Sequence, residues 1–494
     1  MPQMYCAVLP KGSQMEKAKV IRSLIYKFTE RFAVKFIGLV IGIILARLLS
    51  PEINGQVALL EVVVNFSLLL IEDGVNNALV QTRTAEERDY VTVFFITLGL
   101  AGAALCILEF TAPLIAAYYN SPALTAPLRF YAFSLLFGAF NSIQVARMQR
   151  EMRFRELMHC NLAATLLAGT LGIVLAYRGA GLWALVIYHF AQIAIACLAA
   201  FLVLRWIPRG RFSMDSARRL GGFGIKMLAA SAIQNIYLSL RPLIIGKRFS
   251  AADLGYYDKG RNFSYTISVN LDAAIRSVMF PVLSRAQDDR EKFTGIMRQM
   301  SRLGSFVIFP VMLGLAAVAE PFIRLLLTEK WIAAAPILVI LSIGEAQIPL
   351  TSANLIALKS LGRSDLYARQ ELVRRALMLV VLVISVVCFH SVEAIAVGYS
   401  VSAWLDVFVT SLPIKKLLNY GVLDQLRDVW KTALSTVLMA LAVYALGALP
   451  LPTALLLMVQ VLCGAAVYLG LNVLFKNESL MYILSLLGRR KAAS

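Results

Sequence analysis

Acidic residues, histidine and cysteine are all scarce in this chain of 494 residues. Only 29 Asp and Glu stand against 48 Lys and Arg, and there are three histidines and six cysteines. His159, His189 and His390 are isolated, with no partner at metal or acid–base spacing, and they read as packed or interfacial side chains. Cys6, Cys106, Cys160, Cys197, Cys388 and Cys463 are scattered without a C-x-x-C pair, which excludes a zinc site of the usual spacing and leaves them as packing residues. No glycine-rich phosphate loop or nucleophile motif is present either. Long polar insertions are missing as well. With spans of about 20 residues marked off, the outer loops are roughly four to six residues and the longest about sixteen, too short for a catalytic domain. The first fourteen residues lack the apolar core of a signal peptide, and Met15 is the more plausible start.

What the chain has in abundance is apolar surface. Hydrophobic residues make up 59% of it, and its mean hydropathy is +0.73, more than a water-soluble domain can hide. Runs long enough to span a bilayer recur from 32–49 to 453–475, and we count fourteen. The expected fold class is therefore an all-α polytopic membrane protein.

The net charge of +19 reads as topology and excludes a nucleic-acid partner. With the N-terminus taken as cytoplasmic, the cytoplasmic segments hold 35 Lys and Arg, while the outer loops hold six: Arg178, Lys247, Arg248, Lys259, Arg261 and Lys330. Both termini are thus expected inside. Val20, Ile21, Leu24, Ile25 and Phe28 fall at helical spacing among Lys17, Lys19, Arg22 and Lys27, the pattern of a basic helix lying on the inner surface.

An internal repeat divides the chain. Ala46-Arg-Leu-Leu-Ser50-Pro-Glu-Ile-Asn-Gly55 aligns without a gap on Gly246-Lys-Arg-Phe-Ser250-Ala-Ala-Asp-Leu-Gly255, an offset of 200. Pro113 and Pro127 echo Pro321 and Pro336 at offsets of 208 and 209. Two matches in order predict two six-helix halves in the same orientation, an architecture in which one half rocks against the other around a site between them. The expected organisation is a cytoplasmic N-terminus (1–31), a first lobe (32–204), a linker (205–219), a second lobe (220–414), an extra helix pair (430–475) and a basic tail (476–494).

Ionisable groups inside spans are costly and mark functional positions. In the span 220–245, Lys226, Gln234, Tyr237 and Arg241 share one stripe, with about 22 Å between the two cations at ~1.5 Å per residue. That stripe is suited to an anionic ligand, with snorkelling to opposite interfaces as the alternative. Lys35, Arg47 and Arg276 are weaker candidates for the same role. Arg47 lies near a span end, and Arg276 can pair with Asp272 one turn away. Gly38 and Gly42 form a G-x-x-x-G surface that permits close helix contact. Glu61, Glu345 and Asp406 are candidate sites for a coupling proton or sodium ion, with pairing to a basic neighbour as the alternative. No other cofactor is expected.

Three segments, ARLLSPEINGQVAL (46–59), IEDGVNNALVQ (71–81) and SAADLGYYDKGRNF (250–263), resemble the polysaccharide-transporter family of lipid-linked oligosaccharide flippases. The likeness is strongest to its exopolysaccharide and lipopolysaccharide branch and covers the chain from about Met15 onward. The resemblance implies the multidrug/oligosaccharidyl-lipid/polysaccharide fold: fourteen helices in two lobes around a cationic central cavity, in the bacterial inner membrane. It also implies the cargo, an oligosaccharide on undecaprenyl pyrophosphate turned from the cytoplasmic to the periplasmic leaflet, and polymerase and export machinery as partners. Lys226 and Arg241, followed by Lys35, Arg47 and Arg276, are then expected to contact the pyrophosphate, and Gln234 and Tyr237 to line the cavity. A peptidoglycan-precursor flippase, a drug or cation antiporter of the same superfold, and a glycan polymerase or ligase are the competing readings. The basic loop at 246–261 is the only candidate the last would have.

Overall fold

Away from water, a backbone must satisfy its own hydrogen bonds, and a chain this apolar can do so within helices. The computed structural model describes residues 33–72, Leu79, Thr82 and 86–491. Side chains at 223, 226, 227, 229, 230, 233, 234, 237 and 486–491 lie outside the described set, as does the predicted surface helix before residue 32. Within the described residues the regular structure is entirely helical.

The helices run α1 (33–48), α2 (Pro51–Glu72), α3 (Glu87–Tyr118), α4 (Thr125–Ala132), α5 (Ser134–Arg150), α6 (Phe154–Tyr177), α7 (Leu182–Leu204) and α8 (Met214–Arg248). They continue as α9 (Ala251–Arg285), α10 (Arg290–Ala317), α11 (Ala319–Leu327), α12 (Ala334–Glu345), α13 (Ile348–Ser360), α14 (Ser364–Cys388) and α15 (Val392–Leu418). The last three are α16 (Val422–Leu446), α17 (Thr453–Leu474) and α18 (Glu478–Lys491). Polar turn residues start several of them. Ser213, Asp289 and Ser391 accept from the backbone N–H three residues on, at 3.3, 3.0 and 3.1 Å, satisfying donors that the first helical turn leaves open.

Among the described residues, 11 helical segments are long and apolar enough to cross a membrane. Of the remaining expected spans, α1 begins at the edge of the described chain, and α14 carries Arg369, Glu371, Arg374 and Arg375 in its first half. The predicted spans 124–146 and 332–358 are each broken, at Phe133 and at Ala346–Gln347, into α4 with α5 and α12 with α13.

The repeat is visible element by element. The breaks between α1 and α2 and between α8 and α9 fall at equivalent residues, and Ser50 and Ser250 each accept the backbone N–H three residues on, at 3.3 and 3.1 Å. The short 3₁₀ turns Pro122–Leu124 and Glu329–Trp331 precede α4 and α12, where the paired prolines Pro127 and Pro336 sit in the opening turns. Gly55 and Gly255 allow α2 and α9 to cross backbone to backbone. A Cβ on Gly55 would lie 1.7 Å from the Ala251 carbonyl oxygen, and one on Gly255 would lie 2.1 Å from that of Pro51. At Gly38 and Gly42, predicted as the close-contact surface, a built Cβ has nothing within 4 Å among the described residues.

The chain divides into two compact units, Met1–Gly255 and Tyr256–Ser494. Helix α8, placed by its repeat position at the head of the second lobe, groups with the first unit because it packs along α2 and α3. At one end of that unit, Tyr90, Val91, Phe94, Ile143, Trp206 and Leu220 form an apolar cluster. In the second unit, Phe306, Met439, Val443 and Tyr468 pack α16 and α17 onto α10. Long apolar side chains such as Phe110 and Leu462 project outward at 82% and 63% exposure, as lipid-facing residues do.

Candidate functional site

Helix α8 carries the predicted stripe. Its backbone is helical from Lys226 through Arg241, but the side chains of Lys226, Gln234 and Tyr237 lie outside the described residues. Arg241 is described, and it is buried to 4% exposure. Its cation is therefore held inside protein. Pro242 follows directly and removes one backbone donor from the helix beside it. Lys35 and Arg47, on α1, are both exposed. Arg276 is committed within its own helix, where Nε lies 2.8 Å from Oδ2 of the buried Asp272 one turn back. The pairing alternative thus holds for Arg276, which has less freedom to meet an anionic ligand.

Each of the three carboxylates proposed for ion coupling faces a definite partner. Glu61 Oε1 lies 2.9 Å from His189 Nε2, and Tyr131 and Tyr188 flank the imidazole. Glu345 is 3% exposed and accepts hydrogen bonds from Tyr399 Oη at 2.6 Å and Ser268 Oγ at 3.0 Å. Asp406 is fully buried and takes both Nε and Nη2 of Arg374 on Oδ2, at 3.0 and 2.9 Å, while Nη1 of the same guanidinium reaches Glu371 at 3.0 Å. Asp406 thus has the basic neighbour of the pairing alternative, held on Oδ2.

Sequence reasoning missed the partners. Arg374 sits in the apolar half-turn where α14 enters its run, so it counts as a loop charge by sequence, and His189 appears alone because Glu61 is four helices away. The available signal was a demand: a carboxylate deep in a span requires a cation or donors somewhere. Amide groups form a further buried network in the second unit. Asn354 donates to Thr410 Oγ1 at 3.1 Å and exchanges hydrogen bonds with Gln425 at 3.2 and 2.8 Å.

The family model described as Polysaccharide biosynthesis protein matches residues 44–336. The chain belongs to this polysaccharide biosynthesis family. Among similar members, the Succinoglycan biosynthesis transport protein ExoT of Rhizobium meliloti (strain 1021) is 27% identical over 348 residues, 70% of this chain and 69% of that protein. The Lipopolysaccharide biosynthesis protein WzxC of Escherichia coli (strain K12) is 24% identical over 322 residues, 62% of this chain and 63% of that one. The match thus spans less than two thirds of the Escherichia coli protein. In fold, this family member is similar to the Lipid II flippase MurJ in its inward closed conformation, with a TM-score of 0.73, 15% identity, and coverage of 92% and 98% of the two chains. An inward-facing multidrug resistance MATE transporter of the MOP superfamily gives 0.58 at 14% identity, covering 78% and 95%. The chain therefore shares the all-helical fold of these two proteins, as expected from its sequence.

Proposed function

We propose that the protein is a flippase that turns undecaprenyl-pyrophosphate-linked oligosaccharide units from the cytoplasmic to the periplasmic leaflet by alternating access, and not an enzyme. The observation that carries this reading is the cation of Arg241, buried inside a multi-pass membrane protein of a polysaccharide biosynthesis family. A pyrophosphate bears at least two negative charges and its sugars are strongly hydrated, so hydrocarbon is a steep barrier to both. A guanidinium binds phosphate oxygens through paired N–H donors, and in a protein interior that interaction is stronger than in water. Two curated relatives are named as transport or lipopolysaccharide biosynthesis proteins, which supports transport over glycan polymerisation. Likeness to a Lipid II flippase keeps a peptidoglycan-precursor cargo as the second reading.

Lys226 joins Arg241 in holding the pyrophosphate, with Gln234 and Tyr237 facing the sugars and Lys35 and Arg47 assisting at the ends of α1. Where transport is coupled to an ion, Glu61 beside His189 is the better placed carboxylate, because Asp406 is neutralised by Arg374. The inner membrane is the expected location, with both termini cytoplasmic and a polymerase as the downstream partner.

Deleting the gene and labelling spheroplasts with a membrane-impermeant glycan reagent tests the function. Lipid-linked units that accumulate unlabelled, facing inward, support flipping. Labelled single units facing outward place the block after flipping and overturn it. Arg241→Ala and Lys226→Ala should each abolish export at unchanged protein level, and normal export in both variants would remove the site.

A further inference from the structure

The arginine-rich end of the first unit holds a cavity of about 520 Å³ whose described lining includes no residue of α8. It lies where α5 turns into α6 and where α7 leaves for α8, and the start of α3 closes one side. Ligand cavities commonly fall in the range of about 300–1,000 Å³. Two kinds of arginine line it. Arg147 and Arg153 are tied down: Arg147 pairs with Glu87 at 3.3 Å and Glu151 at 3.0 Å, and Arg153 pairs with Glu151 at 3.4 Å and Glu156 at 2.7 Å. Trp206 is buried beside them and donates its indole N–H to Glu87. This chain of ion pairs makes a fixed wall and uses up the carboxylates.

Arg205 and Arg209 differ. Both are exposed, both line the cavity, and neither makes an ion pair among the described residues. Arg205 ends α7 in the left-handed region (φ 49°), a conformation that favours glycine or asparagine. The surplus positive charge of the pocket rests on these two side chains. Leu202 and Ile207, immediately adjacent, are 62% and 49% exposed, as side chains that meet acyl chains are. Free arginines in a walled pocket beside outward-facing aliphatic residues fit a phosphate that arrives attached to a lipid.

We propose that this pocket binds the headgroup phosphate of an anionic phospholipid in the leaflet on the arginine-rich side, with Arg205 and Arg209 as its ligands. The proposal requires only that the chain lies in a bilayer and stands apart from any cargo.

The test is native mass spectrometry of the full-length protein in detergent, titrated with dioleoyl phosphatidylglycerol, dioleoyl phosphatidylcholine or undecaprenyl phosphate. Phosphatidylglycerol should be retained over phosphatidylcholine, and Arg205→Gln/Arg209→Gln should weaken its binding by about thirtyfold, from the usual contribution of two surface arginines to an anionic lipid. Arg178→Gln, an exposed arginine outside the pocket, should leave it unchanged. Equal binding by the double variant, or equal binding of the two glycerophospholipids, overturns the site. Displacement by millimolar inorganic phosphate would make it a soluble-anion pocket, and preference for undecaprenyl phosphate would make it a carrier-lipid site. Either result overturns the phospholipid assignment.

Discussion

The two units bury polar groups in different ways. Among the described residues, Tyr256–Ser494 buries more than twice as many polar side chains as Met1–Gly255, and its carboxylates and amides are joined across helices. Asp406 is clamped by Arg374, Glu345 is held by Tyr399 and Ser268, and Asn354 exchanges hydrogen bonds with Gln425. Polar hardware in the first unit lies nearer its margins. Asp89, at the start of α3, pairs with Arg219 at 2.6 Å, and Glu61 with His189 is only partly buried. Its interior holds small residues at close crossings and the single buried arginine of α8. Buried charges of the second unit are thus organised in cross-helix networks, whereas the buried arginine of the first stands on the α8 stripe.

That contrast can be broken from the second unit first. Asp406→Ala should destabilise the purified protein by up to about 3–5 kcal/mol, because it takes from the buried Arg374 guanidinium its two-nitrogen contact and leaves it Glu371 alone among the ion-pair partners described. Replacing both partners, Arg374→Leu with Asp406→Leu, should recover most of the loss in a thermal melt. A single variant that melts like the parent would mean the pair is not structural and would favour Asp406 as a coupling site. Gly55→Ala comes next, with an expected cost of about 1–3 kcal/mol, since the added methyl meets backbone that cannot rotate away. Glu61→Gln should cost at most about 1 kcal/mol, because that pair is partly solvated. A pH-dependent transport rate that disappears in this variant would tie Glu61 to coupling. At the exposed edge, Arg363 holds the Asp365 carboxyl down to about 2. Its small contribution is present at neutral pH and is withdrawn as pH falls toward 2, so Asp365→Asn should leave the neutral melting temperature unchanged.

Sequence periodicity carried the fold further than the site. Fourteen expected spans correspond to eleven clear ones, with α1, α8 and α14 in the remaining positions, and the offset of 200 between Ser50 and Ser250 reappears as matched helix caps. Those features are local: an apolar run, a cap and a turn are each written in neighbouring residues. Pairings between helices are not. Nothing near Asp406 names Arg374, and nothing near Glu61 names His189, because the helices that bring them together are specified by packing over the whole unit. Gly38 and Gly42 show the converse, a motif with suitable spacing and no close approach to a built Cβ among the described residues. The burial of Arg241 is legible because its helical stripe and its cost in lipid are both properties of its own segment.

The crossing at Gly55 and Gly255 has a consequence for how the sequence can change. Residue 55 meets residue 251 and residue 255 meets residue 51, so one contact is made twice, by equivalent positions of two copies of the same segment. Such reciprocity is what an isologous interface between identical subunits produces, here joined within one chain. Neither copy can drift alone: a bulkier residue accepted at one glycine alters the spacing that the other must also obey, so substitutions at the two positions should be strongly non-additive. The duplicated segments therefore constrain each other's descent as tightly as they constrain the helices they begin.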